Sequence, residues 1–239
     1  MSQSKASISK TSIKTAGKIQ VWDVAVRVFH WSQVLLIAGL WYTGEEGYTA
    51  EHQLLAFTLL ALIISRIVWG IVGSKNAQFA RFAASPMQAL RYLFKPTPKV
   101  GHNPASFYMI MLLIILMLVQ LITGMATFDN SYLSDGPLVK YLSADMVDLA
   151  STIHSININI LLAAIAVHVI AAVWHSVAVH NVIAVMITGK DQADVKSIGD
   201  KASNKPATGF RHSGWFFLLL ALLLVALYFW QGQRLMAYL

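Results

Sequence analysis

Five stretches of this chain, at about residues 28–44, 53–73, 106–128, 150–177 and 214–231, are apolar over roughly the 20 residues that a helix needs to cross a bilayer. No other feature constrains the fold as strongly. Backbone polar groups cannot go unpaired in hydrocarbon, so a spanning chain forms either helices or a closed barrel. Alternating ten-residue strands are not visible, which leaves helices. Of the 239 residues, 56% are hydrophobic and only 12% charged, too few charges to cover a soluble domain. The expected fold class is all-α integral membrane, one compact helical bundle with the fifth transmembrane helix at the C-terminal end. Pro86, Pro96, Pro98, Pro104, Pro137 and Pro206 all fall outside the proposed spans, as this layout requires. No internal repeat stands out.

The net charge of +7 is distributed for a membrane rather than for nucleic acid. Lys5, Lys10, Lys14, Lys18 and Arg27 precede the first span. Lys75, Arg81, Arg91, Lys95 and Lys99 lie between the second and third, and Lys190, Lys196, Lys201, Lys205 and Arg211 between the fourth and fifth. The positive-inside rule makes these segments cytoplasmic, with the N-terminus inside and the C-terminus outside. The opposite side carries Glu45, Glu46, Glu51, Asp129, Asp135, Asp145 and Asp148 against Lys140 and Arg234. Residues 1–19, rich in Ser, Thr and Lys with no apolar core, read as a flexible cytoplasmic tail. Residues 20–190 form the main transmembrane domain, 191–213 a basic cytoplasmic linker, and 214–239 the last helix with a short outer tail. The chain has no cysteine, which excludes disulfides, Fe–S clusters, thiolate-bound zinc and covalently attached haem.

Ionisable side chains inside a membrane are costly and usually mark function. His154 and His168 lie fourteen residues apart on the fourth span, which returns them to within about 40° of one face and separates them by roughly 21 Å along the axis. One helix therefore offers one ligand near each surface. His30 opens the first span on the cytoplasmic side and His52 opens the second on the outer side. Matching depths pairs His52 with His154 and His30 with His168, a set of four that suits the axial positions of two b-type haems. Arg66 follows His52 by the same fourteen residues, so it lies at the inner level, where a haem propionate would answer its charge. His175, seven residues beyond His168, is a rival inner ligand, a group facing a quinone, or a histidine sitting at the interface; His168 is preferred as the more deeply embedded. His102, His180 and His212 read as surface histidines. Gly39, Gly70, Gly73 and Gly124 allow either close helix packing or room for a macrocycle. Trp31, Trp41, Trp69 and Trp174 fit interfacial anchors.

The motifs Arg27-Val28-Phe29-His30-Trp31, His52 with Arg66-Ile67-Val68-Trp69-Gly70, Gly101-His102-Asn103-Pro104, Gly136-Pro137-Leu138, His154 with His168, and Met186-Ile187-Thr188-Gly189-Lys190 together resemble the bacterial cytochrome b561 family, which is related to the cytochrome b subunits of nickel–iron hydrogenases. The resemblance spans about residues 20–190. It implies a four-helix core with two bis-histidine haems b, ligated by His30, His52, His154 and His168, and electron exchange with quinone. The fifth span is a departure from a four-helix pattern.

Iron with both axial positions filled by histidine has no site for oxygen chemistry, so the expected task is one-electron transfer. The resulting expectation is a di-haem cytochrome of a bacterial inner membrane, passing electrons between the quinone/quinol pool and a basic periplasmic redox protein such as a c-type cytochrome. A membrane anchor for a hydrogenase-like complex and a superoxide:quinone oxidoreductase are alternatives within electron transfer. A haem-free transporter or channel with a histidine proton relay is the alternative outside it.

Overall fold

The computed structural model describes residues 17–96, 103–128, 135–193 and 209–232, with side chains from residue 20 to 191 and from 213 within those limits. A strand, β1 (Gly17–Gln20), leads into α1 (Val24–Glu45) and α2 (Thr49–Val72). Two short helices follow, α3 (Phe79–Phe82) and α4 (Pro86–Phe94), and then α5 (Pro104–Gly124). A 3₁₀ turn at Val139–Tyr141 precedes α6 (Ala144–Ala178), α7 (Val182–Thr188), a second strand β2 (Lys190–Ala193), and α8 (Gly209–Leu227), which runs on into a π turn at Tyr228–Gly232. Among the described residues, five helices are long and apolar enough to cross a membrane: α1, α2, α5, α6 and the segment Ser213–Gly232. The chain is an all-α multi-pass membrane protein.

Helix boundaries depart from the apolar runs where capping chemistry is polar. Asp23 opens α1 by accepting from the Val26 amide at 2.7 Å. Asn103 opens α5 in a capping box with Ser106. Pro104 therefore belongs to a spanning helix, at its first position, where a missing N–H is not needed. α6 starts six residues before its apolar run, because Asp145 and Asp148 lie in its first turns. Its 35 residues rise about 52 Å, well beyond a hydrocarbon core of about 30 Å. Its ends therefore stand clear of the core.

Strands β1 and β2 pair antiparallel, from Gly17 opposite Ala193 to Gln20 opposite Lys190. β1 thus lies within the segment read as tail, and β2 enters the segment read as linker. Residues 1–16, 194–208 and 233–239 lie outside the described residues, as do Asp129 and His102. The pairing fixes relative topology: chain positions before α1 and after α6 lie on one side of the membrane, as four crossings require. Gly189 closes this junction. It ends α7 with φ 76°, its amide donates to Val185 O at 2.8 Å, and its carbonyl accepts from Val21 N at 2.8 Å and Trp22 N at 3.2 Å. A Cβ there would lie 3.0 Å from Trp22 O, so both backbone conformation and space call for glycine.

α1 packs on α2, α5 on α6, and α2 on α5; α6 makes its close backbone contacts with α5 and α7 rather than with α1 or α2. Gly39 permits the first pairing, since a Cβ would sit 3.1 Å from Leu55 Cδ1. α8 lies against α2 and α1. Its Phe216 is buried beside Trp69 at 6.0 Å between centroids, and Trp230 meets Phe57 at the same distance. The fifth helix is a packing element of the bundle.

Candidate functional site

The structure brings the four histidines together in the expected pairs. His30 of α1 and His168 of α6 face each other with ring centroids 6.4 Å apart and planes at 54°. Two imidazoles bound to one metal through nitrogen–metal bonds of about 2 Å hold their centroids about 6 Å apart, so this separation fits a shared metal. His30 Nδ1 is buried and has no hydrogen-bond partner among the described residues.

His52 of α2 and His154 of α6 form the other pair, near enough for charge on one to be felt at the other. Their Nδ1 atoms are held by protein. His154 Nδ1 lies 3.0 Å from Gln120 O and 3.3 Å from Thr123 Oγ1. A carbonyl can only accept, so Nδ1 carries the proton and Nε2 keeps its lone pair. That lone pair accepts from Gln120 Nε2 at 3.2 Å, and the Gln120 amide is oriented by Asn157 Nδ2 donating to its Oε1 at 2.8 Å. His154 would hold a metal through Nε2 in place of this bond. His52 Nδ1 lies 3.2 Å from Thr43 Oγ1. Two glycines give these rings room: a Cβ at Gly124 would lie 2.8 Å from His154 Cε1, and one at Gly44 3.3 Å from His52 Cε1. At Gly124 the residue serves the histidine itself, a role that spacing along the sequence does not single out.

Arg66 has protein partners of its own. Its guanidinium is 4% exposed, donates to Ala77 O at 3.3 Å, and lies over Phe79 at 4.6 Å and Phe29 at 5.8 Å. Asp23 supplies a nearby opposite charge. The buried Asp23 also accepts from Trp69 Nε1 at 3.1 Å and from Ser74 Oγ. A propionate is therefore not required to account for Arg66, and Trp69 is a buried donor rather than an interfacial anchor. Trp31, Trp41 and Trp174 are exposed, as anchors would be. Gly70 serves packing, since a Cβ would lie 2.0 Å from Phe79 Cε2. Arg27, three residues before His30, has a buried Nε without a partner among the described residues. Its guanidinium lies against the end of α7, where a Cβ at Gly189 would stand 3.0 Å from Nη1.

His175 turns away from the inner pair. Its Nε2 accepts from the Tyr92 hydroxyl at 2.6 Å, and its Nδ1 donates to His180 O at 3.3 Å. It is His168, with its ring 6.4 Å from that of His30, that stands as the inner partner. Burial pushes the Tyr92 phenol up, against a smaller opposing effect of a hydrogen bond with Asn103, so Tyr92 keeps the proton it donates. His180, read from sequence as a surface residue, bonds the buried Asp191 at 3.1 Å. The side chain of His212 lies outside the described residues.

Among the described residues, no three His, Asp or Glu side chains converge as a metal site would require. Opposed histidine pairs are instead the ligand set for an iron whose remaining positions are filled by a porphyrin. Comparison with curated proteins and with solved structures returns no match. A family model described as Prokaryotic cytochrome b561 matches residues 21–189, more than half of the chain and the whole segment from the residue after β1 to Gly189. The chain belongs to the prokaryotic cytochrome b561 family, membrane b-type cytochromes that bind haem b and act in electron transfer.

Proposed function

We propose that this chain holds two haems b, one between His30 and His168 and one between His52 and His154, and carries electrons across a bacterial inner membrane between the quinone pool and a redox protein at the outer face. The observation that carries this reading is the pairing of histidines at two levels of α6, with fourteen residues between His154 and His168. When bound, each haem supplies a one-electron couple with both axial positions closed. The chain's own part is to hold the rings. Gln120 and Thr123 fix the tautomer of His154, Thr43 borders His52, and apolar helices exclude water from both levels. Arg27 is the cation we assign to a propionate at the inner level. Basic residues on the β1–β2 side support a cytoplasmic placement of that side.

Purified protein is expected to contain two non-covalent haems b per chain, reducible by a quinol. Pyridine haemochrome analysis against protein concentration checks this, and a ratio of one or none after gentle purification overturns it.

The outer end of the bundle supports a basic partner. Glu45 ends α1, Glu51 lies in the first turn of α2, and Asp145 and Asp148 lie in the first turns of α6; all four, with Glu46, are exposed around the His52–His154 level. Such a surface attracts a cationic protein and repels an anion such as superoxide. Replacing Glu45, Glu46 and Glu51 with glutamine is expected to slow haem oxidation by a basic c-type cytochrome and flatten its salt dependence, because the Debye length shrinks from about 30 Å at 0.01 M to about 10 Å at 0.1 M salt. Stopped-flow rates equal to wild type across that range would remove this loop from docking.

A further inference from the structure

We infer that Thr43 and Thr123 are a matched pair of positioning residues that orient the axial histidines of the outer haem and lower its midpoint potential. The inference rests on the reading that His52 and His154 hold a haem. Thr43 lies in the last turn of α1 and Thr123 in the last turn of α5, and each is followed by a glycine. The Thr43 hydroxyl donates to Gly39 O at 2.8 Å, four residues back; the Thr123 hydroxyl donates to Val119 O at 2.7 Å, also four residues back. Each lies farther from the carbonyl three residues back, Leu40 O at 3.3 Å and Gln120 O at 3.2 Å. With the hydroxyl proton so committed, a lone pair of Oγ1 is left to share the imidazole N–H with a backbone carbonyl of the same turn, Leu40 O for His52 and Gln120 O, at 3.0 Å, for His154. His52 Nδ1 stands 3.2 Å from the first hydroxyl and His154 Nδ1 3.3 Å from the second. The glycine that follows completes the match, since a Cβ at Gly44 would lie 3.4 Å, and one at Gly124 3.2 Å, from the Nδ1 of the corresponding histidine.

The two Thr-Gly turns thus grip two histidines of different helices in the same way. The repeat is spatial: Thr43 precedes His52 by nine residues and Thr123 precedes His154 by thirty-one, so no sequence period reveals it. At the inner level His30 lacks the device: among the described residues its buried Nδ1 has no hydrogen-bond partner, and the next turn of α1 gives it no threonine.

The chemical consequence has a definite sign. An imidazole that donates Nδ1–H to an oxygen is a stronger donor at Nε2 and prefers the more highly charged ferric iron, so the potential falls. It also fixes ring orientation, which sets the splitting of the ferric spectrum. Removing the hydroxyl while keeping the shape leaves each Nδ1–H to its backbone carbonyl alone, so both effects should weaken at the outer haem only.

The test uses the full-length protein carrying both haems, with Thr43→Val, Thr123→Val, the double variant and both Thr→Ser variants. Potentiometric titration and low-temperature EPR are the readouts. Each valine change is expected to raise the outer midpoint potential, the double variant by about a tenfold shift of the ferric/ferrous equilibrium, about 59 mV for one electron. The outer ferric g-values should move, the inner haem should serve as an unmoved control, and serine should restore the wild-type values. If valine releases the outer haem and serine retains it, the hydroxyl is still identified as the holding group. Unchanged outer potential with haem retained, equal shifts of both haems, or failure of serine to restore overturns the inference. Wild-type protein without a haem at this pair overturns the underlying reading instead, whatever the threonines do.

Discussion

Alanine at His52 or His154 is expected to remove the outer haem, and alanine at His30 or His168 the inner one, each leaving the other centre in place. The two pairs share only α6, where their ligands stand about 21 Å apart, and each pair has its own second helix, α2 or α1. Losing one axial ligand removes half of the protein's hold on an iron without touching the other level. Haem content should fall from two to one per chain, and redox titration should show which component survives. His175→Ala should retain both haems, because His168 rather than His175 faces His30, and the His175 ring is bonded to Tyr92 and His180. Arg27→Gln should disturb the inner component alone. Loss of the inner haem in His175→Ala with retention in His168→Ala would reverse the assignment on α6; loss of both haems in every variant would mean that the levels are not independent.

Asp23→Ala is expected to be the most damaging change away from the histidines. The carboxylate caps α1, accepts from the indole of Trp69 and the hydroxyl of Ser74, and is the opposite charge near Arg66. Asp23 is 5% exposed and Arg66 4%, so water cannot replace it. Removing one partner of a buried charge system costs about 3–5 kcal/mol, to which the lost cap adds about 1 kcal/mol. Thermal unfolding in detergent should show a large fall in the midpoint, with Asp23→Asn intermediate because the amide oxygen still accepts while the charge is gone. An alanine variant that melts with wild type would show that Arg66 is balanced by something else.

Much of this was legible in the sequence because a bilayer leaves few choices. Five apolar runs gave five helices, and two histidines fourteen residues apart on one helix already demanded partners at two depths. The chemistry around those histidines was not legible. Gly124 and Thr123 act on a ring thirty residues away across a loop, and Asp23 answers charges on α2 from just before α1. Arg66 carried the right depth, but depth says nothing of azimuth, and Phe29, Phe79 and Ala77 surround it. Pairing of β1 with β2 joins residues some 170 positions apart in segments whose composition reads as unstructured. Helix ends were misplaced at α6 because a hydropathy scan stops where the polar first turns begin.

The position of α8 bears on how a lipophilic molecule reaches this protein. Such a molecule searches in two dimensions, and what it meets depends on the bearing from which it comes. α8 covers the flank formed by α1 and α2, with Phe216 and Trp230 set against Trp69 and Phe57. On α6, among the described residues, Ile156, Ile160 and Val167 are exposed along the length between His154 and His168. The fifth helix thus acts as a breakwater on the α1–α2 flank, leaving apolar faces of α5 and α6 open to the bilayer among the described residues.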